Sequence, residues 1–414
     1  MSTLPAAFLW GASVAGHQVE GDNTNSDTWF LENVEPTVFA ERSGKACNSY
    51  QLWETDLDLL AALGLNAFRF STEWARIEPE QGVIDAASLD HYDRMVDGCL
   101  ARGIAPVVTF NHFTLPHWVA KKGAWLDADV PDLFAQFCGT VTAKLGDRLA
   151  AGVTLNEPNL PRLLSWILPE FVHEQSRATL DAASRAAGVE RYRTGNVMVP
   201  EDYDGMQEGM TRGHLLARNA IRAEHADLPV GLSIAMVDDV ALPGGEAIRD
   251  RKRAALYDHW LDLARDDDFI GVQNYERLTY GPGGEVPAPE GGLRNQMGQF
   301  VDPGSLRGAI EYAHARSGKP VFVTEHGMST TDDSVREEFT AASIDAMLDS
   351  IAEGTPVLGY LHWSLIDNFE WIFGYGPRFG LHSFDTETFE RTAKPSAARY
   401  AEIVREHRAP AGRA

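Results

Sequence analysis

The chain has 414 residues, 44% of them hydrophobic, which supports a large buried core. Its formal net charge of −24 at pH 7 repels polyanions and anionic lipids, so neither nucleic acid nor a membrane is expected as a partner. No long apolar run and no N-terminal signal-peptide pattern is visible, which predicts a cytoplasmic location.

Short apolar, β-branched segments alternate with amphipathic segments, and helical period is clear at 51–63 and 90–102. This alternation predicts an α/β fold, a (β/α)₈ TIM barrel that forms a single domain over residues 1–414. The connections 158–213 and 276–304 are long, and we expect them to shape the mouth at the C-terminal face. The predicted strands are 8–15, 67–71, 105–110, 153–156, 230–236, 269–275, 320–325 and 357–364.

Polar or aromatic residues follow all but one of these strands. In parallel barrels the carboxyl ends of the strands meet at one face, where barrel enzymes keep their sites. We therefore expect these residues to converge. In chain order they are Gln18, Glu20, Arg69, Glu73, Asn111, His112, Asn156, Glu157, Asn274, Tyr275, Glu325, His326 and Trp363, with Glu370 and Trp371 just beyond.

Glu157 and Glu325 end strands that lie three steps apart around the ring, so their carboxyl groups can face each other. Cleavage of a glycosidic bond uses two such groups, one protonated to release the leaving oxygen and one ionised to attack the anomeric carbon. Arg69 is a candidate for lowering the pKa of one carboxyl, and Tyr275 for donating a hydrogen bond to it. The pair predicts a glycosidase.

Sugars present hydroxyl groups at their edges and C–H groups on their faces, so a sugar site combines polar side chains with aromatic platforms. The polar candidates are Gln18, His112, Asn156 and Glu370. The aromatic candidates are Trp363, Trp371 and Phe379.

The sequence favours a site with neither metal nor cofactor. His112 and His117 share no helix with a carboxylate at ligand spacing, and the glycines near 281–284 are not followed by a phosphate-binding helix. The cysteines form no Cys-x-x-Cys pair, which favours buried reduced thiols over a disulfide framework or a zinc site. They are Cys47, Cys99 and Cys138.

Motifs along nearly the whole chain resemble those of glycoside hydrolase family 1, the β-glucosidase family. In order they are FLWGA from Phe8, QVEG from Gln18, FRFS from Phe68 with EWAR from Glu73, TLNEP from Thr154, VTEHG from Val323, and WSLIDNFEW from Trp363 with RFGL from Arg378. The resemblance implies a retaining β-glycosidase, most typically a β-glucosidase. Such an enzyme releases a terminal β-linked neutral sugar from oligosaccharides or from aryl and alkyl glycosides by double displacement.

Mapped onto this chain, the resemblance makes Glu157 the acid/base and Glu325 the nucleophile, supported by Arg69 and Tyr275. Trp363 would form the floor beneath the glycone, the sugar that is released. The residues implied to hold its hydroxyl groups are Gln18, His112, Asn156, Glu370 and Trp371.

Some positions depart from the family pattern. Phe113 stands where Trp is common, Gln273 where Asn is usual, and His326 follows the nucleophile in place of Asn. After Glu157 the chain reads Pro-Asn where the family usually has Pro-Trp, and the segment that follows has no familiar pattern. None of the departures removes a catalytic group, and the change after Glu157 concerns the side that binds the aglycone, the leaving part of the substrate.

Two other functions remain open from the sequence. A 6-phospho-β-glycosidase would want Ser and Lys after the eighth strand, but Glu370 and Trp371 stand there, and a carboxylate repels phosphate. A non-catalytic sugar-binding protein has no need of both carboxylates. The expected partner is a small carbohydrate substrate, and the sequence leaves the oligomeric state open.

Overall fold

A computed structural model of the chain describes Leu4 and residues 7–408. Eight parallel strands close into a barrel, and each strand pairs with its neighbours in sequence around the ring until the last pairs with the first. The strands are β1 Leu9–Ser13, β2 Ala67–Ser71, β3 Ala105–Asn111, β4 Ala151–Asn156, β5 Val230–Ala235, β6 Phe269–Asn274, β7 Val321–His326 and β8 Val357–Trp363. The predicted TIM barrel is confirmed.

All eight predicted strands are present, and the differences lie at their ends. β1 stops at Ser13 because the chain turns into a short helix, Gly16–Val19, whereas the prediction ran on to residue 15. β4 begins at Ala151, two residues before its predicted start, because Ala and Gly carry little strand propensity of their own.

Helices cover the outside of the barrel. The helix predicted at 90–102 begins earlier, at Ala86, where the side chain of Asp85 accepts a hydrogen bond from the backbone N–H of Ser88 and caps the helix. The outer helices are α1 Ser49–Ala62, α2 Ala86–Ala101, α3 Val130–Leu145, α4 Tyr203–Glu224, α5 Glu246–Leu256, α6 Ser305–Ser317, α7 Asp333–Ala352 and α8 Pro395–His407. Shorter or additional helices are Gly16–Val19, Asp27–Glu32, Trp74–Ile77, His117–Lys122, Leu160–Ile167, Glu170–Ala187 and Asp258–Leu263.

The two long connections contain regular structure that the sequence reading treated as loop. Residues 158–213 include the helices Leu160–Ile167 and Glu170–Ala187 before α4 begins. Residues 276–304 include the strands Arg277–Gly281 and Gly284–Val286, which form a small sheet with Asp238–Ala241. A further hairpin pairs His382–Phe384 with Arg391–Ala393.

Apolar side chains fill the barrel and the layer between barrel and helices. Side chains of several strands, among them Ala67, Val107, Val153 and Phe322, form one buried cluster. Cys47, Cys99 and Cys138 are buried and unpaired, as expected. None of the helices in the described residues has the length and apolar character needed to cross a membrane.

Candidate active site

The candidate site is a cavity at the carboxyl ends of the barrel strands. Arg69 and Asn156, two of the predicted site residues, lie buried behind it and bond to residues of the lining. The other predicted site residues line it directly. They are Gln18, His112, Glu157, Tyr275, Glu325, Trp363, Glu370, Trp371 and Phe379.

Local irregularities of the backbone occur where the two carboxylates reach the cavity. β7 contains one extra residue relative to β6 between Val323 and Glu325, and β4 one relative to β5 between Val153 and Asn156. Such bulges interrupt the alternation of a strand and re-aim the side chains that follow. Glu157 also has a φ of 43°, a left-handed conformation that costs a non-glycine residue about 1–3 kcal/mol. The surrounding fold must supply this energy.

Two donors hold the carboxylate of Glu325. Nη1 of Arg69 donates to Oε1 at 2.6 Å, and the hydroxyl of Tyr275 donates to Oε2 at 2.6 Å. The ring of Phe379 packs edge-on against Tyr275, with 5.7 Å between ring centroids. Because both oxygens accept short hydrogen bonds, one of them from a buried cation, the ionised form of Glu325 is favoured.

Asn156 joins several polar groups behind the cavity. Its Oδ1 accepts hydrogen bonds from Nη2 of Arg69 at 2.6 Å and from Nε2 of Gln273 at 2.7 Å. Its Nδ2 lies 3.2 Å from Nε2 of His112. Burial and the charge of Arg69 hold the pKa of His112 well below its usual range, so its ring is neutral and Nε2 can accept. This network fixes Arg69 between the strands that carry the two carboxylates.

Glu157 has a different environment. Within the described residues, no side chain donates a hydrogen bond to its carboxyl. Burial, and then the negative charge of Glu325, raise its pKa well above the usual range. Burial also raises the pKa of Glu325, but Arg69 and Tyr275 oppose that rise. When the carboxyl groups of Glu157 and Glu325 hold one proton between them, that proton therefore resides on Glu157.

A third carboxyl group, that of Glu370, also lines the cavity. Burial raises its pKa to about 8, although the indole N–H of Trp363, 3.4 Å away, counteracts part of this rise. Nearby polar atoms are buried without a hydrogen-bond partner in the described part of the chain, including Oε1 of Gln18, Nδ1 of His112 and Oε1 of Gln273. Such atoms are rare in native proteins and indicate that the cavity accepts a polar ligand.

Aromatic rings form a stacked series beside these groups. His112 is nearly parallel to Trp363 and to Trp371, with centroids 5.8 and 6.1 Å apart. His17 stacks on Trp371 at 5.7 Å, and its Nε2 lies 2.8 Å from Oε1 of Glu32. The flat apolar faces needed for a sugar ring are therefore present and held in place.

Comparison with known proteins identifies the family of the chain that forms this cavity. Residues 1–187 and 288–409 match the model of Glycosyl hydrolase family 1. A β-glucosidase of Agrobacterium sp. is 32% identical, with 97% of this chain and 95% of that protein covered. The chain belongs to glycosyl hydrolase family 1. It is therefore a glycosidase, as the paired carboxylates predicted.

Other proteins similar to this family 1 glycosidase are also named as glycosidases. A bifunctional β-D-glucosidase/β-D-fucosidase of Bifidobacterium breve is 30% identical, with 98% of this chain and 99% of that protein covered. The crystal structure of β-glycosidase BGL167 superposes with a TM-score of 0.92 at 43% identity, covering 99% of this chain and 98% of that one.

Some polar residues at the strand ends do not line the cavity of this family 1 glycosidase. Glu20 bonds to Arg76 and Tyr92, and Glu73 accepts from Asn23 and Thr114. These contacts are structural, since they tie the turns after β1, β2 and β3 together. The others are also bonded within the fold: Asn111 to the carbonyl of Thr114, Asn274 to the carbonyl of Met236, and His326 to Tyr360.

The sequence reading missed one side of the cavity in this family 1 glycosidase. The helix Leu160–Ile167 lines it with apolar side chains, and the start of Glu170–Ala187 adds Val172, His173 and Ser176. The spacing of Leu160, Leu163, Leu164 and Ile167 was a helical signal that could have revealed an amphipathic helix.

Proposed function

We propose that the chain is a retaining β-glucosidase that acts as one catalytic domain, with Glu157 as acid/base and Glu325 as nucleophile. The observation that carries this assignment is the unequal environment of the two carboxyls. Arg69 and Tyr275 both donate to Glu325, whereas Glu157 has a pKa raised well above its usual range. Double displacement needs this asymmetry, and a carboxyl separation of about 5 Å.

In the first step, an oxygen of ionised Glu325 attacks the anomeric carbon while Glu157 gives its proton to the departing glycosidic oxygen. The C–O bond to the aglycone breaks and a covalent α-glycosyl ester forms on Glu325. Oε2 bonds to the hydroxyl of Tyr275, and Nη1 of Arg69 holds Oε1. These contacts orient the nucleophile.

In the second step, ionised Glu157 takes a proton from water, whose oxygen attacks the anomeric carbon and displaces Glu325. Esterification has by then removed the negative charge of Glu325, which was one cause of the high pKa of Glu157. The pKa of Glu157 therefore falls, and the group becomes a competent base. The released sugar has the β configuration.

Glucose is the glycone that the site supports best. The β-glucosidase names of several relatives point to it, and the polar and aromatic groups around Glu370 match a ring with hydroxyls on its edges. Gln18 and Glu370 would accept from adjacent hydroxyls on one edge, and Trp363 would lie under the ring face. His112, Asn156 and Trp371 would complete the glycone contacts.

The alternative functions receive less support. In the described residues the cavity lining contains no Lys or Arg, so no cation there would offset the charge of a 6-phospho sugar, and that charge would share the cavity with ionised Glu325. A non-catalytic sugar-binding protein would not require both carboxylates in their unequal environments. Neither alternative is named among the relatives reported above.

Product stereochemistry tests the proposed function. Hydrolysis of aryl β-glucosides, followed by proton NMR before the sugar mutarotates, should show the β-anomer first. Aryl galactosides, fucosides, xylosides and 6-phosphoglucosides form the comparison panel, and the glucoside or fucoside should be turned over fastest. First appearance of the α-anomer would contradict a retaining mechanism, and preference for the 6-phosphoglucoside would contradict the neutral glycone.

A bell-shaped pH dependence of kcat/KM follows from the two environments. Activity falls at low pH as Glu325 becomes protonated, and at high pH as Glu157 loses its proton. Tyr275→Phe removes a hydrogen bond to ionised Glu325, so the pKa of Glu325 rises and the acidic limb should move up by roughly one pH unit.

The control is Tyr312→Phe, which removes a hydroxyl bonded to Asp258 on the outside of the barrel and should leave the profile unchanged. A dinitrophenyl glucoside shows which of Glu157 and Glu370 causes the alkaline limb, because its leaving group needs no proton from Glu157. An alkaline limb that persists with this substrate reports Glu370, whose pKa of about 8 falls in the same range. An acidic limb unmoved in Tyr275→Phe would contradict the role given to Tyr275.

A further inference from the structure

One side of the cavity is built almost wholly from aliphatic side chains. We define the aliphatic wall as Leu164, Ile167, Leu168, Val172 and Met198, all of which line the cavity. The first four are only half-buried, although they are apolar, so part of their surface faces open space. Apolar surface left accessible inside a cavity favours an apolar ligand.

The wall lies on the aglycone side of the bond to be cleaved. The helix that carries its first members, Leu160–Ile167, begins three residues after Glu157, and the backbone N–H of Leu160 donates to the carbonyl of Glu157 at 2.9 Å. Glu157 is the proposed proton donor to the leaving oxygen, so the leaving group must lie beside it. The proposed glycone contacts, by contrast, come largely from the segments after β1 and β8.

The fold anchors the wall on both of its segments. Asn159, just before the helix, makes two hydrogen bonds to the backbone of Ala235. Its Nδ2 donates to the carbonyl at 2.8 Å, and its Oδ1 accepts from the N–H at 3.0 Å. Near Met198, the buried carboxylate of Asp27 accepts from the backbone N–H of Gly195 at 3.1 Å. The wall is thus preformed, which reduces the entropy cost of binding a ligand against it.

We propose that the aliphatic wall selects glycosides of hydrophobic aliphatic alcohols in preference to disaccharides. This inference rests on the proposed function. A second sugar ring would bury several hydroxyl groups against side chains that offer neither donor nor acceptor, and each hydroxyl left without a partner weakens binding. An aliphatic aglycone buries only apolar surface there.

Polar side chains also line the cavity outside the wall, and some of them are already hydrogen-bonded within the fold. Ser176 already donates to the carbonyl of Val172, and Oε1 of Gln299 accepts from Asn295. The remaining ones beyond the glycone contacts and the two carboxyl groups are His173, Asn196, Tyr203, Gln273 and Glu276. Trp166 and Phe171, which adjoin Ile167 and Val172 in the chain, are 44% and 57% exposed and are therefore apolar surface outside the cavity lining.

The experiment is a series of n-alkyl β-glucosides from methyl to octyl, with cellobiose as the disaccharide. Simple alkanols are equally poor leaving groups, so differences in kcat/KM along the series report binding and not chemistry. We expect kcat/KM to rise about two- to fourfold per added methylene group, the range expected for partial to full burial of a methylene. Octyl glucoside should exceed cellobiose at least tenfold.

Variants locate the effect on the wall. Val172→Thr replaces one methyl group by a hydroxyl of equal size. Ile167→Thr replaces the ethyl group by a hydroxyl and so also shortens the side chain by one carbon. Both variants should lower the ratio of kcat/KM for octyl glucoside to that for methyl glucoside several-fold. Glu174→Gln, an exposed position on the same helix as Val172, is the control and should keep the ratio. The thermal unfolding midpoint of each variant shows that the fold is retained.

Several outcomes overturn the inference. A wild-type rate independent of alkyl length, or cellobiose preferred to octyl glucoside, shows that the wall does not select aliphatic aglycones. A ratio unchanged in both threonine variants places apolar binding elsewhere. In each of these cases methyl and aryl glucosides are still hydrolysed, whereas failure to hydrolyse any β-glycoside would refute the proposed function itself.

Discussion

Glu325→Ala is expected to abolish turnover of every β-glucoside, with a loss of roughly 10⁴-fold or more in kcat, the scale seen when a nucleophile is removed. Covalent catalysis cannot proceed without the attacking oxygen. The change also frees Nη1 of Arg69 and the hydroxyl of Tyr275, which both donate to this carboxylate and then face an empty space. A small anion fits such a site, because a buried cation and a donor point into it.

Azide or formate in excess should therefore restore turnover of an activated aryl β-glucoside in Glu325→Ala. The anion attacks the anomeric carbon from the face where Glu325 stood, so the product is the α-glycosyl adduct. Glu325→Gln is the matched control, because its amide fills the space and should prevent rescue. A β-configured adduct, or rescue of Glu325→Gln equal to that of Glu325→Ala, would show that the nucleophile is a different residue.

Glu157→Ala is expected to separate substrates by their leaving groups. A dinitrophenolate leaves without a proton, so the glycosyl-enzyme should still form rapidly on Glu325, which keeps its contacts with Arg69 and Tyr275. Cellobiose and alkyl glucosides need the proton, and their kcat/KM should fall roughly 10²–10⁴-fold, the usual contribution of a general acid. The check is steady-state kinetics across a series of aryl glucosides of graded leaving-group pKa.

The second step in Glu157→Ala lacks its base, so the glycosyl-enzyme should accumulate. Azide needs no base and should react with it on the face opposite Glu325, which gives a β-glycosyl azide. The two alanine variants thus produce adducts of opposite configuration. Equal configuration in both, or hydrolysis of cellobiose by Glu157→Ala at nearly the wild-type rate, would contradict the assignment of the pair.

Much of the barrel could be predicted from the sequence, because its strands are short β-branched runs followed by polar residues. The run from Val321 to Thr324, ended by Glu325, is typical. Signals of this kind are local, and the parallel barrel follows once eight of them alternate with helical segments. The ends of the strands were less predictable, as the early start of β4 at Ala151 illustrates.

Residue types alone did not separate the strand-end side chains that reach the cavity from those that do not. Glu73 follows β2 and Glu325 lies at the end of β7. Glu73 nevertheless bonds to Asn23 and Thr114, whereas Glu325 lines the cavity. The bulge in β7 before Glu325 contributes to this difference, and it depends on how β7 pairs with β6. A register shift between strands distant in the chain has no local signature.

The sequence by itself determined the fold class, and it identified Glu157 and Glu325 as the candidate carboxyl pair, because strand patterns and short motifs consist of neighbouring residues. Only the tertiary structure decided the unequal electrostatic environments of the two carboxyl groups and the apolar side of the cavity. Glu157 and Glu325 are chemically identical until Arg69 and Tyr275 come within 2.6 Å of one of them. Likewise, the apolar face of Leu160–Ile167 could have packed into the core, since hydrophobic attraction has no preferred direction. The packing around Glu157 turns part of that face towards the cavity.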